Sequence, residues 1–384
     1  TEVGIMNKYL KKSMGKIIKV VGGSLDEFKE KTILITGANG LIGGFLTDFF
    51  VYLNEELGFN CKLVLTSLSK NPKRLESIMD KKYVTYYSKD LTNDTWFDDK
   101  INFCFYCAGY AQPGKFLSDA DKTYSLNTDS MRAVINSVLS NNPKAKVLFI
   151  SSSEVYALNK TDKEHHESDD LSVYLWHKRI TYILGKIAGE YNIQLLSDNG
   201  YNVRSARVSL CYGPGHLMSD SRVMSELTQK GIEQENVNLF DDGSSYRKYQ
   251  HISDCCIMLI NIILKGKWPV YNVGGKEETT IYDMAKIIGD KFKKRVVRGK
   301  INNDVANSAP KKVSISLDRY EEEFGNFDFT SFEDGMENYL NWFSEEHKKN
   351  MAEARKGRKL SEEHKKNIGK AGKGRKITEE TREK

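Results

Sequence analysis

Two short segments of the chain carry side chains that can move protons. One is the run Ser-Ser-Ser-Glu-Val-Tyr at residues 151–156, and the other is the Y-x-x-x-K motif from Tyr182 to Lys186. A tyrosine acts as a base near neutral pH only if its pKa, ordinarily about 10, is lowered by its surroundings. A lysine four positions along a helix lies on the same face and can lower it. The two segments therefore indicate removal of a proton from an alcohol beside a hydride acceptor.

A glycine-rich turn upstream indicates what the hydride acceptor is. Gly37, Gly40 and Gly43 follow the β-branched run at residues 32–36 and precede an apolar segment that predicts a helix. Glycine lets the backbone approach phosphate oxygens, and the N-terminus of the following helix offers free N–H groups to a pyrophosphate. The sequence therefore predicts a dinucleotide site. Six residues of the turn are expected to contact the cofactor: Gly37, Asn39, Gly40, Leu41, Ile42 and Gly43.

The choice between NAD and NADP depends on the ends of the next two predicted strands. An acidic residue at the end of the second strand would bind the adenosine ribose, but this stretch runs Thr66-Ser-Leu-Ser-Lys70. Nothing there repels a 2′-phosphate, and Lys70 or Arg74 could hold one, which weakens the preference for NAD over NADP. NAD is still the expected cofactor, and NADP stays open. At the end of the third strand, Asp90 and Leu91 are expected to contact adenine. A turn or a helix cap is the alternative role for Asp90.

The order of predicted elements indicates the fold class. Strands alternate with helices up to about Gly213, which predicts an α/β fold with a doubly wound parallel (Rossmann) sheet. Beyond it the elements are short and mixed, which predicts a smaller C-terminal α/β part over the strand ends, where such sheets bind ligands. The six predicted strands are residues 32–36, 62–66, 83–87, 102–107, 146–151 and 202–208. The expected divisions are an N-terminal helical extension (1–31), a dinucleotide-binding domain (32–212), a substrate-binding part (213–343) and a basic repeat tail (344–384).

Length and composition exclude several classes of protein. A chain of 384 residues with 39% hydrophobic content can form one large or two modest domains. No apolar run approaches the roughly 18 residues of a membrane span, and residues 1–31 lack the uninterrupted apolar stretch of a signal peptide. Cys104 and Cys107 lie in an apolar run that predicts a buried strand, so core packing is expected rather than a metal or redox site. These observations predict a cytoplasmic protein without a metal or a disulfide framework.

Residues 344–384 form an imperfect repeat with a period of 17 residues, which starts at Ser344 and again at Ser361. They hold 14 Lys and Arg against 8 Asp and Glu, so this segment alone accounts for the net charge of +6. Each copy has too few apolar residues to offset the entropy of ordering an independent fold. The repeats resemble small modular repeats found beside homing endonucleases. A solvated tail is the first expectation, and contact with nucleic-acid phosphates is the alternative.

Several motifs together resemble the extended short-chain dehydrogenase/reductases that modify nucleotide sugars. They are the glycine turn, the Ser-Glu-Val-Tyr run, a Y-x-x-x-K motif, and Tyr-Gly-Pro-Gly at residues 212–215. The chain also has a second Y-x-x-x-K, at residues 174–178. In this family a glutamate often follows the lysine by four residues, and an arginine lies on the next strand. Glu190 and Arg207 match these positions for the motif at residues 182–186, and the other motif is interpreted as a coincidence in a loop.

The resemblance implies roles for the matching residues of the catalytic segments. Ser152 is implied to be the catalytic hydroxyl, which hydrogen-bonds to the 4-hydroxyl of the substrate. Tyr182 is implied to be the base and Lys186 its partner, and both are also expected to contact the cofactor. Glu154 is implied to orient the sugar ring or to steer the proton that is delivered to C5.

Other matching positions imply contacts around the reacting groups. Ala108 matches a position near the nicotinamide, and Asn127 matches a position on the active-site helix and is expected to bind substrate. Arg222, in Asp-Ser-Arg-Val, and Arg247, in Gly-Ser-Ser-Tyr-Arg, match arginines that clamp the substrate diphosphate. The resemblance also implies a homodimer.

The resemblance further narrows the expected reaction. The 4,6-dehydratases have Asp where this chain has Ser153, and simple 4-epimerases usually lack the glutamate found here as Glu154. The Ser-Glu pair is most similar to UDP-glucuronate decarboxylases, so NAD-dependent conversion of UDP-glucuronate to UDP-xylose is the expected reaction. The alternatives are 4,6-dehydration, 4-epimerisation, an NADPH-consuming 4-reduction, and a nucleic-acid-associated protein that only senses NAD(H). Leu210 replaces the Asn with which the family contacts the diphosphate, and this leaves the nucleotide base open.

Overall fold

The computed structural model describes residues 8–159, 161, 163–218, 220–300 and 314–356. Its strands are β1 (Thr32–Thr36), β2 (Lys62–Ser67), β3 (Val84–Ser88), β4 (Phe103–Tyr106), β5 (Lys146–Ser152), β6 (Val203–Val208), β7 (Leu210–Tyr212), β8 (Asn236–Asn238), β9 (Tyr246–His251), β10 (Val270–Val273), β11 (Glu278–Thr280) and β12 (Arg295–Val297). Its α-helices are α1 (Lys8–Val21), α2 (Leu41–Leu57), α3 (Pro113–Ser118), α4 (Ala120–Asn127), α5 (Asp129–Asn141), α6 (Ile180–Asp198), α7 (Val223–Glu233), α8 (Ile252–Lys265), α9 (Ile281–Phe292), α10 (Asp318–Phe324) and α11 (Phe332–Lys356). Short 3-10 helices cover Gly22–Phe28, Lys73–Leu75 and Ser153–Tyr156.

The central sheet has seven parallel strands in the order β10-β6-β5-β4-β1-β2-β3. The chain runs outward from β1 to β2 and β3, then returns to the other side of β1 for β4, β5 and β6. The strand order therefore reverses between β1 and β4, and doubly wound sheets bind ligands outside such a switch point. At this point the Oγ1 of Thr36 accepts hydrogen bonds from the backbone N–H groups of Cys107 and Ala108, both at 3.0 Å. The predicted α/β class with a doubly wound parallel sheet is confirmed.

The six predicted strands are all present, each within one residue of its predicted bounds. The sequence analysis missed the seventh, β10, which pairs in parallel with β6 through Val270–Val273. This strand has four residues and follows a helix in a region of short mixed elements, so its apolar pattern alone could not identify it. A segment beyond residue 213 thus completes the central sheet.

Helices bury both faces of the central sheet. On one face, α1, α2 and α8 pack in a single hydrophobic cluster with the sheet, and Phe50 of α2 contacts the rings of Phe28 and Phe105. On the other face, α5 and α6 contribute to a second cluster, with Val134 and Ile193 fully buried. The helix that carries the Y-x-x-x-K motif is therefore packed against the sheet.

The N-terminal extension was predicted to be an amphipathic helix. Residues 8–21 form α1, and Met14 and Ile17 on its apolar side are fully buried in the first cluster. The Nζ of Lys16 on the same helix donates to the Oδ1 of Asp254 on α8 at 2.5 Å and to Thr330 at 2.7 Å. Because the Asp254 side chain is buried, this pair holds α1 against α8.

Replacing Lys16 by methionine is expected to destabilise the fold measurably. The change keeps the aliphatic stem but leaves the buried Asp254 carboxylate without its cation, which should cost about 2–3 kcal/mol of unfolding free energy. The matched control is Lys11→Met on the same helix, because Lys11 pairs with Glu56 and both side chains are about half exposed to solvent. The control should cost at most about 1 kcal/mol. Urea unfolding of both variants measures the difference, and equal losses would contradict this account of how α1 is held.

The elements after β6 include two small sheets and several helices. β7, β9 and β11 form one sheet in the order β11-β9-β7, and β8 pairs in parallel with β12. Helix α9 covers Ile281–Phe292, and α11 runs from Phe332 on to Lys356. The C-terminal region is mostly helical.

The division of the chain falls inside α11. Residues up to Trp342 form one unit, and a second unit starts at Phe343. Residues 344–356 of the basic repeat are helical, and residues 357–384 lie outside the described part of the chain. The expected contact of the repeat with nucleic acid therefore stays a prediction. Among the described residues, no helix combines the length and apolarity that a membrane span requires.

Candidate active site

The glycine turn between β1 and α2 forms a close-packed cradle. Gly37 has a φ of +64°, and a Cβ at this position would lie 2.8 Å from the carbonyl oxygen of Cys107. A Cβ on Gly43 would lie 2.5 Å from the carbonyl oxygen of Gly37. No side chain can be accommodated at either position without moving backbone, so the turn requires glycine at both.

The first turn of α2 is open to an anion. Gly40 is the N-cap residue with extended backbone, and its side chain, a hydrogen atom, caps no N–H group. The first N–H groups of a helix need partners from outside the helix and carry its positive dipole end. Asn39, Leu41 and Ile42 are half-buried around this turn. The donor set and the shape of the cradle fit the pyrophosphate of a dinucleotide.

Arg74 was considered as a partner for a 2′-phosphate, and the structure gives it other partners. Its guanidinium donates to Asp48 on α2 at 2.8 Å, to the carbonyl oxygen of Gly40 at 3.1 Å and to that of Gly215 at 2.5 Å. These bonds hold Arg74 between the glycine turn and the loop after β7. Lys70 is exposed. The guanidinium that could have held a 2′-phosphate is thus engaged elsewhere, which argues for NAD.

Asp90 takes the alternative role that the sequence left open. Its carboxylate accepts from the N–H and Oγ1 of Thr92, at 3.1 and 2.7 Å, and from the Nζ of Lys122 on α4 at 2.5 Å. Burial acts to raise the pKa of Asp90, but the bonds from Lys122 and Thr92 lower it overall. Leu91 is buried in the second cluster, so its side chain is occupied by core packing. The structure therefore shows Asp90 as a turn residue, and its expected contact with adenine stays a prediction.

Tyr182 and Lys186 lie on one buried face of α6, as the spacing predicts. The Nζ of Lys186 donates to the carbonyl oxygen of Ile150 at 2.7 Å and lies 5.7 Å from the centre of the Tyr182 ring. Burial lowers the pKa of Lys186 to about 7, against the opposing effect of Cys107 and Glu190. The lysine is therefore close to its titration point at neutral pH. Tyr174 of the other motif is 58% exposed and precedes α6.

Burial, and after it the carboxylate of Glu154, raise the pKa of Tyr182, which comes to about 12 overall. A hydrogen bond between the side chains of Ser152 and Tyr182 lowers it, as do the positive charges of Arg222 and Arg179. The sequence analysis credited Lys186 with lowering this pKa, whereas in the structure Ser152 and the two arginines do so. The structure thus brings Ser152, Glu154 and Arg222 around the Tyr182 phenol.

Glu154 forms an ion pair that the sequence analysis missed. The Nε of Arg179 donates to its Oε2 at 3.0 Å, and the Nη2 donates to its Oε1. The Arg179 guanidinium lies 5.0 Å from the centre of the Phe116 ring, and that ring stacks on Tyr182 at 4.7 Å. Arg179 directly precedes α6, only three residues before Tyr182, so its position in the sequence was the available signal.

A buried polar network lies beneath these groups. Glu190 of α6 pairs with Arg207 of β6 at 2.7 Å, and the Oγ of Ser151 donates to Glu190. Arg207 also donates to the hydroxyl of Tyr156. The network joins α6 to β6 and to the end of β5, so it fixes the helix rotation that points Tyr182 and Lys186 inward.

Asn127 closes the other side of the site. It is fully buried at the end of α4, and its Nδ2 donates to the carbonyl oxygen of Thr123 at 2.7 Å, while its Oδ1 has no partner. A Cβ on Gly109 would lie 3.6 Å from this Oδ1 and 3.9 Å from the Nζ of Lys186. Asn127 and Lys186 therefore both border Gly109, beside the Ala108 position expected to contact the nicotinamide.

The two arginines expected to bind substrate differ in how firmly they are held. Arg222 pairs with the buried Asp220 at 2.6 Å, and Arg222 and His216 hold the pKa of Asp220 well below its usual range against burial. Arg247 on β9 donates to the carbonyl oxygen of Tyr246 at 2.7 Å. Burial raises the pKa of Tyr249 to about 12, and both arginines act against it. Arg222 and Arg247 are thus both within electrostatic range of one buried phenol.

Comparison with known proteins gives a family and several relatives. The sequence model of the NAD dependent epimerase/dehydratase family matches residues 33–274. UDP-glucuronic acid decarboxylase 1 of Danio rerio is 26% identical over 69% of this chain and 61% of its own length. A dTDP-4-dehydro-6-deoxy-D-allose reductase of a Streptomyces species is 24% identical over 83% of this chain and 98% of its own length. This chain thus spans about three fifths of the length of the decarboxylase relatives.

Solved structures show the same fold at low identity. The epimerase Mth375 of Methanothermobacter thermautotrophicus superposes with a TM-score of 0.75, at 18% identity, over 88% of this chain and 98% of that one. A UDP-glucuronic acid 4-epimerase of Bacillus cereus, solved with NAD and UDP-glucuronic acid, gives 0.65 at 19% identity, over 82% and 99%.

Proposed function

Because the chain belongs to the NAD-dependent epimerase/dehydratase family, we propose that it oxidises a nucleotide sugar transiently at C4, and that its reaction is decarboxylation of UDP-glucuronate to UDP-xylose. The cofactor of the family is NAD. The observation that carries the proposal is the grouping of Ser152 and Glu154 around Tyr182, with Ser153 where a dehydratase has aspartate. Dehydration across C5 and C6 needs an acid–base pair, and a serine hydroxyl does not supply the acid.

The residues around Tyr182 can support each proton movement of this reaction. NAD, held by the glycine turn at Gly37, Gly40 and Gly43, would supply a hydride acceptor for C4 and the hydride for the final reduction of the ketone. Tyr182 takes the proton of the 4-hydroxyl as the C4 ketone forms. Its hydrogen bond with Ser152 favours the phenolate against burial, and the cationic nicotinamide of bound NAD would do the same. The C5–C6 bond then breaks, CO₂ leaves, and the electron pair moves to O4 as an enolate. The protonated phenol donates to O4 and stabilises this charge until a proton reaches C5.

Incubation of the purified chain with NAD and UDP-glucuronate tests the proposal. The expected products are CO₂ and UDP-xylose, detected by mass spectrometry, with no net change in NADH absorbance. Absence of turnover with any nucleotide uronate, together with dehydration of a nucleotide hexose, would replace the decarboxylase with a dehydratase. Conversion of UDP-glucuronate to UDP-galacturonate would indicate epimerisation.

A 4-ketosugar reductase is the second candidate function. The allose reductase relative is matched over nearly its whole length, which favours this alternative. A reductase consumes one reduced cofactor per turnover, whereas a decarboxylase regenerates NAD. Stoichiometric loss of NADH or NADPH with a 4-ketohexose nucleotide would support the reductase.

We also propose a homodimer formed through α4 and α6. The α4–α6 face consists of Tyr124, Leu184, Tyr191 and Leu195, and Tyr191 is 63% exposed. Leu184, Tyr191 and Leu195 follow the spacing of one helix face. A cavity of about 390 Å³ lies along this face, lined in part by Tyr124 and Leu184. Aromatic and aliphatic side chains grouped on an exposed helix pair are typical of protein interfaces.

Leu195→Arg is expected to convert the dimer to a monomer. A charge placed in an apolar interface has to be desolvated on association, which should weaken dimerisation by at least about 2 kcal/mol. The control is Leu57→Arg at the end of α2, where the side chain is 46% exposed and lies off the α4–α6 face. Sedimentation velocity distinguishes the two variants. If the Leu195→Arg variant still forms dimers at the protein concentration at which the native chain does, the interface lies elsewhere.

A further inference from the structure

A layered stack of side chains lies over the face of Tyr182. The Phe116 ring stacks on the Tyr182 ring with an interplanar angle of 16°, and the guanidinium of Arg179 lies over the Phe116 ring, 5.0 Å from its centre. The same guanidinium is bonded to the Glu154 carboxylate through two of its nitrogens. Arg179 is buried, so one side chain orders both the carboxylate and the ring that packs against the phenol.

We propose that Arg179 is a positioning residue that tunes Tyr182, by fixing Glu154 in a two-point ion pair and holding Phe116 against the phenol ring. The proposal rests on the role of Tyr182 in the proposed function, but not on which sugar is the substrate. Arginine suits this position because its planar fork matches a carboxylate and also stacks on an aromatic ring.

The charges that face Tyr182 come from several elements. Glu154 belongs to the 3-10 helix after β5, Arg179 precedes α6, Lys186 lies one turn along α6, and Arg222 precedes α7. Ser152 at the end of β5 adds a neutral hydrogen bond. Among these groups Glu154 is the anion. An unpaired anion beside a phenol disfavours phenolate, and a paired one does so less.

The direction in which each substitution should shift the pKa of Tyr182 follows from these charges. Removing the cation with Arg179→Gln leaves the Glu154 charge uncompensated, so the pKa of Tyr182 should rise by about one pH unit. Removing the anion with Glu154→Gln should lower it by a similar amount. The double variant should return close to the native value, because both charges are gone. Arg179→Lys keeps the charge but loses the planar fork and the stacking, so it should raise the pKa in the same direction as Arg179→Gln and by less.

The test is a pH titration of the tyrosine Cζ resonances in the ¹³C-labelled full chain saturated with NAD. The cationic nicotinamide favours the phenolate, and the resonance missing from Tyr182→Phe identifies Tyr182. Opposite shifts for Arg179→Gln and Glu154→Gln, cancelled in the double variant, support the proposal. Equal pKa values in native and Arg179→Gln chains, or a double variant that shifts as far as Arg179→Gln, would overturn it.

If Arg179→Gln does not fold, the proposal can still be tested with other variants. Glu154→Gln and Arg179→Lys are then compared with the native chain, and an unchanged Tyr182 pKa in Glu154→Gln would overturn the proposal. The titration needs no turnover. A chain with the expected shifts that fails to decarboxylate UDP-glucuronate therefore keeps the role of Arg179 and contradicts the proposed reaction. A chain that decarboxylates UDP-glucuronate but shows no shifts in the Tyr182 pKa supports the proposed reaction and contradicts the role of Arg179.

Discussion

Tyr182→Phe is expected to lower kcat by about 10²–10⁴-fold, the range over which a positioned acid–base group acts. The variant removes one hydroxyl and keeps the ring that stacks on Phe116, so the fold and the affinity for NAD should be retained. Ser152 then has no phenol to hydrogen-bond with, and nothing else in the described site replaces the proton acceptor. Steady-state kinetics with UDP-glucuronate, together with an NAD binding isotherm, measure the two quantities separately.

The chain supplies a matched control for this variant. Tyr174→Phe makes the same change in the other Y-x-x-x-K motif, where the tyrosine is exposed and lies outside α6. Its kcat should stay within about twofold of native, since exposed surface changes have small effects. If the Tyr174 variant lost activity and the Tyr182 variant kept it, the catalytic tyrosine and lysine would belong to the motif at residues 174–178 instead.

Gly37→Ala is expected to weaken both NAD binding and the fold. Alanine at a φ of +64° costs about 1–2 kcal/mol, and the new methyl group would lie 2.8 Å from the carbonyl oxygen of Cys107. The methyl group would meet a backbone carbonyl that cannot rotate away, so the turn must move away from β4 at a cost of about 1–3 kcal/mol. Displacement of the N–H groups of α2 should lower NAD affinity at least about tenfold.

Gly58→Ala separates the effect of a left-handed backbone from the effect of the clash with the Cys107 carbonyl oxygen. Gly58 also has a left-handed backbone, with a φ of +66°, but a Cβ there has nothing within 4 Å. This control should lose about 1 kcal/mol of unfolding free energy and bind NAD as the native chain does. Thermal unfolding and isothermal titration with NAD measure both effects. Native NAD affinity in the Gly37 variant would mean that the cradle does not hold the pyrophosphate.

The sequence predicted the parts of the structure that depend on local pattern. The strands of the central sheet, the glycine turn and the face shared by Tyr182 and Lys186 all follow from the spacing of residues within one element. The partners of side chains did not follow, because they come from distant segments. Arg74 reaches the carbonyl oxygen of Gly215, and Asp90 meets Lys122 of α4, and no local period encodes either contact.

The candidate site shows the same limit. Glu154 was identified from its motif, but its pairing with Arg179 depends on the path of the chain between β5 and α6. The pKa of Tyr182 was expected to be set by Lys186, and the structure gives this effect to groups from three elements. Burial raises the pKa of Tyr182 and lowers that of Lys186. It depends on the complete fold, so the sequence around the two residues does not reveal it.

The late position of β10 in the chain has a consequence for synthesis on the ribosome. β6 is the neighbour of β10, and until residues 270–273 have emerged one edge of β6 has no strand beside it. An unpaired edge of this kind can add strands from other chains and so lead to aggregation. A shortened gene product that stops after Tyr212 would keep this edge permanently. Expression of the nucleotide-binding half alone is therefore a poor route to soluble protein, whereas a product that continues past Val273 closes the sheet.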